Sequence, residues 1–305
     1  RIQPKERWCL MIFASMPSYR GDEREILLLA HSLRRYGGEF ANAPILVLEA
    51  AQSPLSPAAR HALTSLGASI LPFNLPEPAL TFPYAQKVYA AAEAEAQAGS
   101  DVLVWMDADT IILDNPVQFV LPAEVTIGCC PVQLKNISSL ASEPPSPYWQ
   151  AVYAGCDTPT ERIFQVTTTV DHLRIHAQFN AGLLVVHPQA RLLRAWKQNF
   201  EQLYQADTFR PFYAENELYR IFIHQAVLSA TLLTHLPFLA FHIFPAAYNC
   251  ALFLRHRFPF DVGEPVTCRY DEFSYFQTPG WDKDIQPISD KINHLRNQIV
   301  QESKR

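Results

Sequence analysis

Sixteen residues, Asp101 to Pro116 (DVLVWMDADTIILDNP), constrain this chain more than any other stretch. Val102 to Met106 is unbroken apolar sequence that runs straight into Asp107 and Asp109, and a second apolar run, Thr110 to Leu113, follows. A run of that kind suits a strand covered on both faces, as in a mostly parallel sheet, rather than a strand with one wet face. The two acids then stand at the strand's carboxyl end, where open α/β sheets bind their ligands. Carboxylates at i and i+2 can aim oxygens at one hard divalent cation, and such a cation can bridge the phosphates of a nucleotide. Two solvated aspartates at a strand end are the plain competitor, so the neighbouring sequence has to decide.

What comes before the acids alternates. Trp8 to Ala14 reads as a first strand ending in Ser15-Met16-Pro17-Ser18, with Ser15 a candidate nucleobase or ribose contact. Asp22 and Glu25 form a capping-box pattern for a helix that Gly37-Gly38 stops. Pro44 to Leu48 is a second strand, Ser56-Pro57 opens a helix ending near Gly67, and Ser69 to Phe73 is a third strand. This βαβαβ order predicts a doubly wound sheet. Tyr84 to Gln97, rich in Ala and Glu, is a helix by propensity. It carries Lys87 one helix ahead of the acids, where contact with a diphosphate or sugar competes with the ordinary fate of a solvated lysine.

Beyond the acids, Val125 to Cys130 is a short strand, and Asn136 to Thr160, with its many Ser and Pro residues, reads as a long loop. Asn180 and Gly182 precede the strand Leu183 to Val186, a placement that suits close approach of backbone to a ligand. Arg191 to Tyr204 is helical, and His224-Gln225 opens another helix over 226–233. Pro237 to Phe260 is rich in aromatics and holds His242; it covers a core edge or stacks a base or sugar. Ile285, Ile288, Ile292, Leu295 and Ile299 recur at helical spacing. The expected organisation is one domain over 1–283 and an amphipathic C-terminal helix over 284–305, docked on the body or paired with a second copy in a homodimer.

Composition narrows the function. The chain has 305 residues, 49% hydrophobic and 18% charged, with net charge -5, so it buries a full core and makes a poor nucleic-acid binder. No apolar run is long enough for a membrane span. The six cysteines show no CxxC spacing, which argues for reduced, buried thiols over zinc or redox motifs. Asn136-Ile137-Ser138 is a glycosylation sequon that matters only in a secretory setting. The sequence begins at Arg1 with no leader pattern, so the expected compartment is either the cytoplasm or, if an anchor has been removed, the secretory lumen.

Taken in order, five stretches resemble one family: the helix with Tyr84 and Lys87, MDADTIILDNP from Met106, FNAGLLVVHP from Phe179, HQAVLSA from His224 and FPAAYN from Phe244. Together they are similar to the glycogenin-like GT-A glycosyltransferases, the retaining enzymes of family eight. The resemblance implies an α/β GT-A fold, a Rossmann-like, mostly parallel central sheet flanked by helices. It implies transfer of a sugar from a UDP-sugar donor with Mn2+ or Mg2+, to a glycan, protein or small-molecule acceptor. By the same resemblance Asp107 and Asp109 are metal and ribose ligands, Lys87 and Tyr84 contact the donor, Asn180 and Gly182 line the sugar and acceptor side, and Gln225 is the family's catalytic-site amide. Two departures stand out. The family's carboxylate before that Gln is His224 here, and its third metal ligand and phosphate-binding lysine are missing from Val266 to Trp281. His242, Asp271 and Arg269 are the candidates to compensate, His242 and Asp271 as metal ligands. The competing readings are a silent GT-A-like binder of nucleotide or glycan and, less well supported without a Gly-rich phosphate loop, a nucleotidyltransferase.

Overall fold

The computed structural model describes residues 11–17, 21–258, 264–283 and 285–302. Its strands are β1 (Met11–Ser15), β2 (Ile45–Ala50), β3 (Ala68–Phe73), β4 (Val102–Met106), β5 (Thr110–Ile112), β6 (Ile127–Pro131), β7 (Gln165–Thr167), β8 (Arg174–His176), β9 (Phe179–Val186), β10 (Phe241–Ile243), β11 (Cys250–Ala251) and β12 (Thr267–Arg269). The longer helices are α1 (Glu23–Tyr36), α2 (Pro57–Ser65), α3 (Ala85–Gln97), α4 (Pro147–Gly155), α5 (Leu192–Leu203), α6 (Glu217–His235) and α7 (Ile288–Glu302).

The central sheet has the order β10-β6-β9-β4-β1-β2-β3. The pairs β1–β2, β2–β3, β1–β4 and β10–β6 are parallel, and β9 is antiparallel to both its neighbours. One reversed strand in an otherwise parallel sheet flanked by helices is the mixed α/β architecture expected. The alternation of side chains along a strand divides the core in two. Leu103 and Trp105 share one face with Leu184 and Val186, beneath α3, α5 and α6. Val104 and Met106 share the other with Leu183 and Val185, beneath α1 and α7. All eight residues of β9 are buried, so burying the centre of this sheet removes most of its apolar surface from water.

Helix starts follow local chemistry. The Asp22 carboxylate accepts from the Arg24 N–H, and Ser56 Oγ accepts from Ala59 N–H ahead of Pro57. Glu25 does not complete the capping box; its Oε1 accepts from Phe273 N–H at 3.1 Å and so ties α1 to a segment distant in sequence. α5 starts at Arg191, a left-handed residue with no side-chain cap. Glu95 of α3, buried, supplies that cap by accepting from Leu193 N–H and Arg194 N–H.

Two expectations are corrected. The stretch 136–160 is not a plain loop: Ser146 caps α4 as Ser56 caps α2, and Tyr148 and Trp149 of α4 are fully buried. His224 and Gln225 do not open a helix either. They lie in the middle of α6, which starts seven residues before His224 because Asn216 caps it, accepting from Leu218 N–H. The C-terminal helix packs on the body, with Ile292, Leu295 and Ile299 buried and Lys291 Nζ donating to Leu113 O at 2.9 Å. The described cysteines are free and buried, while Cys9 and the start of the first strand at Trp8 lie outside the described residues. Among the described residues no helix is long and apolar enough to cross a membrane.

Candidate active site

The acids are placed by three elements that meet at one sheet edge. β4 ends at Met106, and Asp107 N–H donates to Gly182 O at 2.9 Å. Because β9 runs against β4, the start of β9 lies beside the end of β4, and that brings Asn180 and Gly182 to the acids. Gly182 has no room for a side chain: a Cβ there would stand 2.7 Å from Asp107 Oδ2 and 2.7 Å from Asn180 Oδ1. Asn180 is held by both ends, Oδ1 accepting from Gly182 N–H and Nδ2 donating to Gln133 Oε1. The missing side chain thus lets the carboxylate of Asp107 sit on the backbone of β9.

β12 brings the counter-charge. It pairs antiparallel with β5, placing Arg269 opposite Thr110, and Tyr270 N–H donates to Asp109 O. Arg269 Nη2 lies 2.7 Å from Asp109 Oδ2 and 3.4 Å from Asp107 Oδ2, and its Nε lies 3.1 Å from Asp109 Oδ1. Lys87, in the first turn of α3, puts Nζ 2.7 Å from Asp107 Oδ2. Both acids are buried, and the side chains of Lys87 and Arg269 are only 12% and 15% exposed, so these pairs are poorly screened by water. Burial works against both charges of the Arg269–Asp109 pair. For Arg269 the two carboxylates outweigh it and hold the guanidinium above its ordinary value. For Asp109 burial outweighs Arg269, with Asp107 adding to the effect, and the carboxyl lies above the ordinary range. These directions conflict for one contact; the forked geometry is that of an ionised pair, and we take it as one. Removing one partner from such a buried pair costs about 3–5 kcal/mol.

Two adjoining clefts open here. The first, about 540 Å³, is lined by Met16, Pro17, Glu25, Lys87 and the acid pair. The second, about 840 Å³, is lined by Gln133, Asn180, His224 and Gln225 among others. Tyr84, Lys87, Arg269 and Asp271 line both. Tyr84 is left-handed at φ 57, and its ring stacks on His224 with centroids 4.7 Å apart. Burial, then Lys87, push the His224 imidazole well below its ordinary value, so it is neutral. Its Nδ1 lies 2.9 Å from Ile221 O, which can only accept, so the proton is on Nδ1 and Nε2 keeps its lone pair. Gln225 Oε1 is buried with no hydrogen-bond partner among the described residues, an orphan of the kind a ligand hydroxyl satisfies.

Most candidates from the sequence therefore converge: Tyr84, Lys87, Asp107, Asp109, Asn180, His224, Gln225 and Asp271 line the clefts, and Gly182 seats Asp107. Two do not. Ser15 is buried beside Ile26 and Leu29, and Met16 and Pro17 take the cleft position instead. His242 sits on the edge strand β10 with Nε2 on Gln118 Oε1 at 3.0 Å, and lines neither cleft. Asp271 reaches the clefts from an exposed, left-handed rim position. Among the described residues no three His, Cys, Asp or Glu side chains stand together where they could hold a metal. Arg269 and Lys87 engage both acids and take three of the four carboxylate oxygens, so these residues as arranged do not fit the divalent-cation site that the resemblance implies. Glu25, read in the sequence only as part of a helix start, and Gln133, which carries no motif, also line the clefts, and only the fold brings them in.

Comparison with solved structures shows the fold. Three solved structures are similar in fold: the galactosyltransferase LgtC in complex with donor and acceptor sugar analogs (14% identity, 94% of this chain and 95% of that one, TM-score 0.50); the bifunctional glycosyltransferase WbbM (13%, 94% and 51%, 0.51); and the glycosyltransferase GlyE of Streptococcus pneumoniae TIGR4 (14%, 96% and 63%, 0.50). Among curated proteins none matches the chain. The profile described as the Rhodobacterales glycosyltransferase domain matches residues 21–230, which hold Lys87, both acids, Asn180, Gly182, His224 and Gln225. With that match running over more than half its length, the chain belongs to the Rhodobacterales glycosyltransferase domain family and is a glycosyltransferase of the GT-A fold.

Proposed function

We propose that this glycosyltransferase moves a sugar from a nucleoside-diphosphate donor, a UDP-sugar, to an acceptor hydroxyl with retention of configuration, as the resemblance to family eight implies. One observation carries the reading: a buried acid pair at the carboxyl edge of the sheet, faced by two cations in a cleft that opens into a second one. The first cleft takes the nucleoside diphosphate. The second takes the sugar and the acceptor, and the residues common to both clefts mark where the bond breaks.

Breaking the sugar–phosphate bond builds negative charge on the leaving diphosphate and positive charge on the sugar carbon. Lys87 and Arg269, fixed before the donor arrives, meet the first charge. The orphan Oε1 of Gln225 faces the second or accepts from a sugar hydroxyl, and neutral His224 accepts a hydrogen bond at Nε2. Asp271, on the rim, is the one carboxylate among the described residues lining the second cleft. That set of groups favours front-face substitution, in which the acceptor enters on the side the diphosphate leaves, over a covalent enzyme ester. Residues 1–283 act as one transferase unit in this reading, and α7 buttresses α1 and the end of β5.

The test is release of free UDP from a panel of UDP-sugars by the full chain, compared with Asp109→Ala. The expected result is turnover of at least one UDP-sugar, and a loss of about a hundredfold or more in the variant, the size of effect that removing one preorganised polar group has in other active sites. Equal turnover by the variant would contradict the assignment. Tight UDP binding with no turnover of any sugar would favour the silent binder, which the replacement of a carboxylate by His224 motivates.

A further inference from the structure

We propose that Arg269, together with Lys87, occupies the role of the divalent cation, so that the enzyme binds and discharges its nucleoside diphosphate without metal. The inference rests on the donor reading above and goes beyond it, since that reading does not say whether a metal acts beside the two cations.

Three of the four carboxylate oxygens are already paired. Asp109 presents both oxygens to Arg269, and Asp107 Oδ2 is shared between Lys87 and Arg269. A divalent cation bound by this pair would have to displace the guanidinium that lies across it. Among the described residues no third acidic, His or Cys side chain joins the pair: His242 is turned to Gln118, Glu25 is engaged by Phe273 N–H, and Asp271 stands on the exposed rim. A hard cation at a nucleotide is held by one or two free carboxylates together with phosphate oxygens and water, and here both carboxylates are already engaged by Lys87 and Arg269.

Charge gives the same answer. Lys87 and Arg269 bring two positive charges, as one divalent ion would, and they cancel the two aspartates. The guanidinium suits the task because it is planar, permanently charged and able to bind two groups along different edges. Its Nε and Nη2 edge is spent on the aspartates, while Nη1 has no partner among the described residues, and Arg269 lines both clefts. The aspartates thus fix the cation, and the cation presents its free edge to the phosphates. Its own position is fixed in turn by the β5–β12 pairing and by the Glu25 carboxylate, which holds Phe273 four residues further on.

Titration calorimetry of UDP into the full chain tests this, in excess EDTA and in excess MnCl2, with Mn2+ alone titrated in parallel. The expected result is no uptake of Mn2+ alone, and UDP affinities that agree within about twofold between the two buffers. Arg269→Ala is expected to weaken UDP by about tenfold or more in EDTA, the loss of a charge-assisted contact. Arg269→Lys keeps the charge without the fork and should fall between the two. Arg269→His places a third metal-ligating side chain beside the aspartates, and Mn2+ should now strengthen UDP binding, a gain that a merely structural residue would not produce. Wild-type UDP binding that requires Mn2+, or an Arg269→Ala variant that binds UDP as the wild type does, would overturn the proposal and leave the donor reading standing. Failure of UDP, GDP, ADP, CDP and TDP alike to bind in either buffer would overturn the donor reading, and the proposal with it.

Discussion

Single side chains in this site are fixed by what they cannot do. His224 cannot easily take a proton, because it is buried, stacked on Tyr84 and next to Lys87. Its value when folded lies well below the ordinary 6.5, so on acidification the unfolded chain takes up the proton first. The stability this residue contributes is therefore fully present above 6.5 and is lost as pH falls through the window between 6.5 and the depressed folded value. The unfolding free energy from urea titrations should be lower at about pH 5 than at about pH 8 for the wild type, by up to about 1.4 kcal/mol per pH unit within that window from this one group. His224→Phe, which keeps the ring stack, should lose distinctly less over the same interval. Equal losses in the two proteins would mean that His224 is not the neutral, buried group described.

Among the elements, the seam between β4 and β9 matters most, because it turns two separate motifs into one site. Gly182 is what lets it close, with Asp107 Oδ2 standing where its Cβ would be. Gly182→Ala should push the carboxylate away from Lys87 and Arg269, cutting turnover by about tenfold or more and destabilising the fold by about 1–3 kcal/mol through overpacking. Steady-state kinetics beside a denaturant titration would check this, and a variant with wild-type turnover would show that the close approach is dispensable. The elements were legible in the sequence to different degrees. The alternation up to β4 could be read because each strand is a short apolar run and the helices carry local start signals, Asp22 for α1 and Ser56-Pro57 for α2. α4 carried the same Ser-Pro signal at Ser146-Pro147 but was hidden among surrounding prolines. Arg269 shows the opposite case. It could be named as one candidate among three, but its place against Asp109 comes from an antiparallel pairing of strands about 160 residues apart, which no local pattern encodes.

At the scale of the whole molecule, a mostly parallel sheet gathers the ends of β1, β4 and β6 and the start of β9 along one edge, and α3, α6 and β12 add side chains to it. The acid pair announced this edge from sequence, because a parallel sheet leaves only one edge for its strand ends. What the sequence alone could not show is that two cations already answer the acids, since that balance is made by three elements far apart in the chain. The most direct test of the account is a crystal structure of the full chain with UDP bound. The account predicts the diphosphate in the first cleft, with phosphate oxygens within hydrogen-bond reach of Lys87 Nζ and Arg269 Nη1 and the outer phosphate toward Gln225. UDP bound elsewhere, or bound in that cleft with its phosphates turned away from both cations, would contradict it.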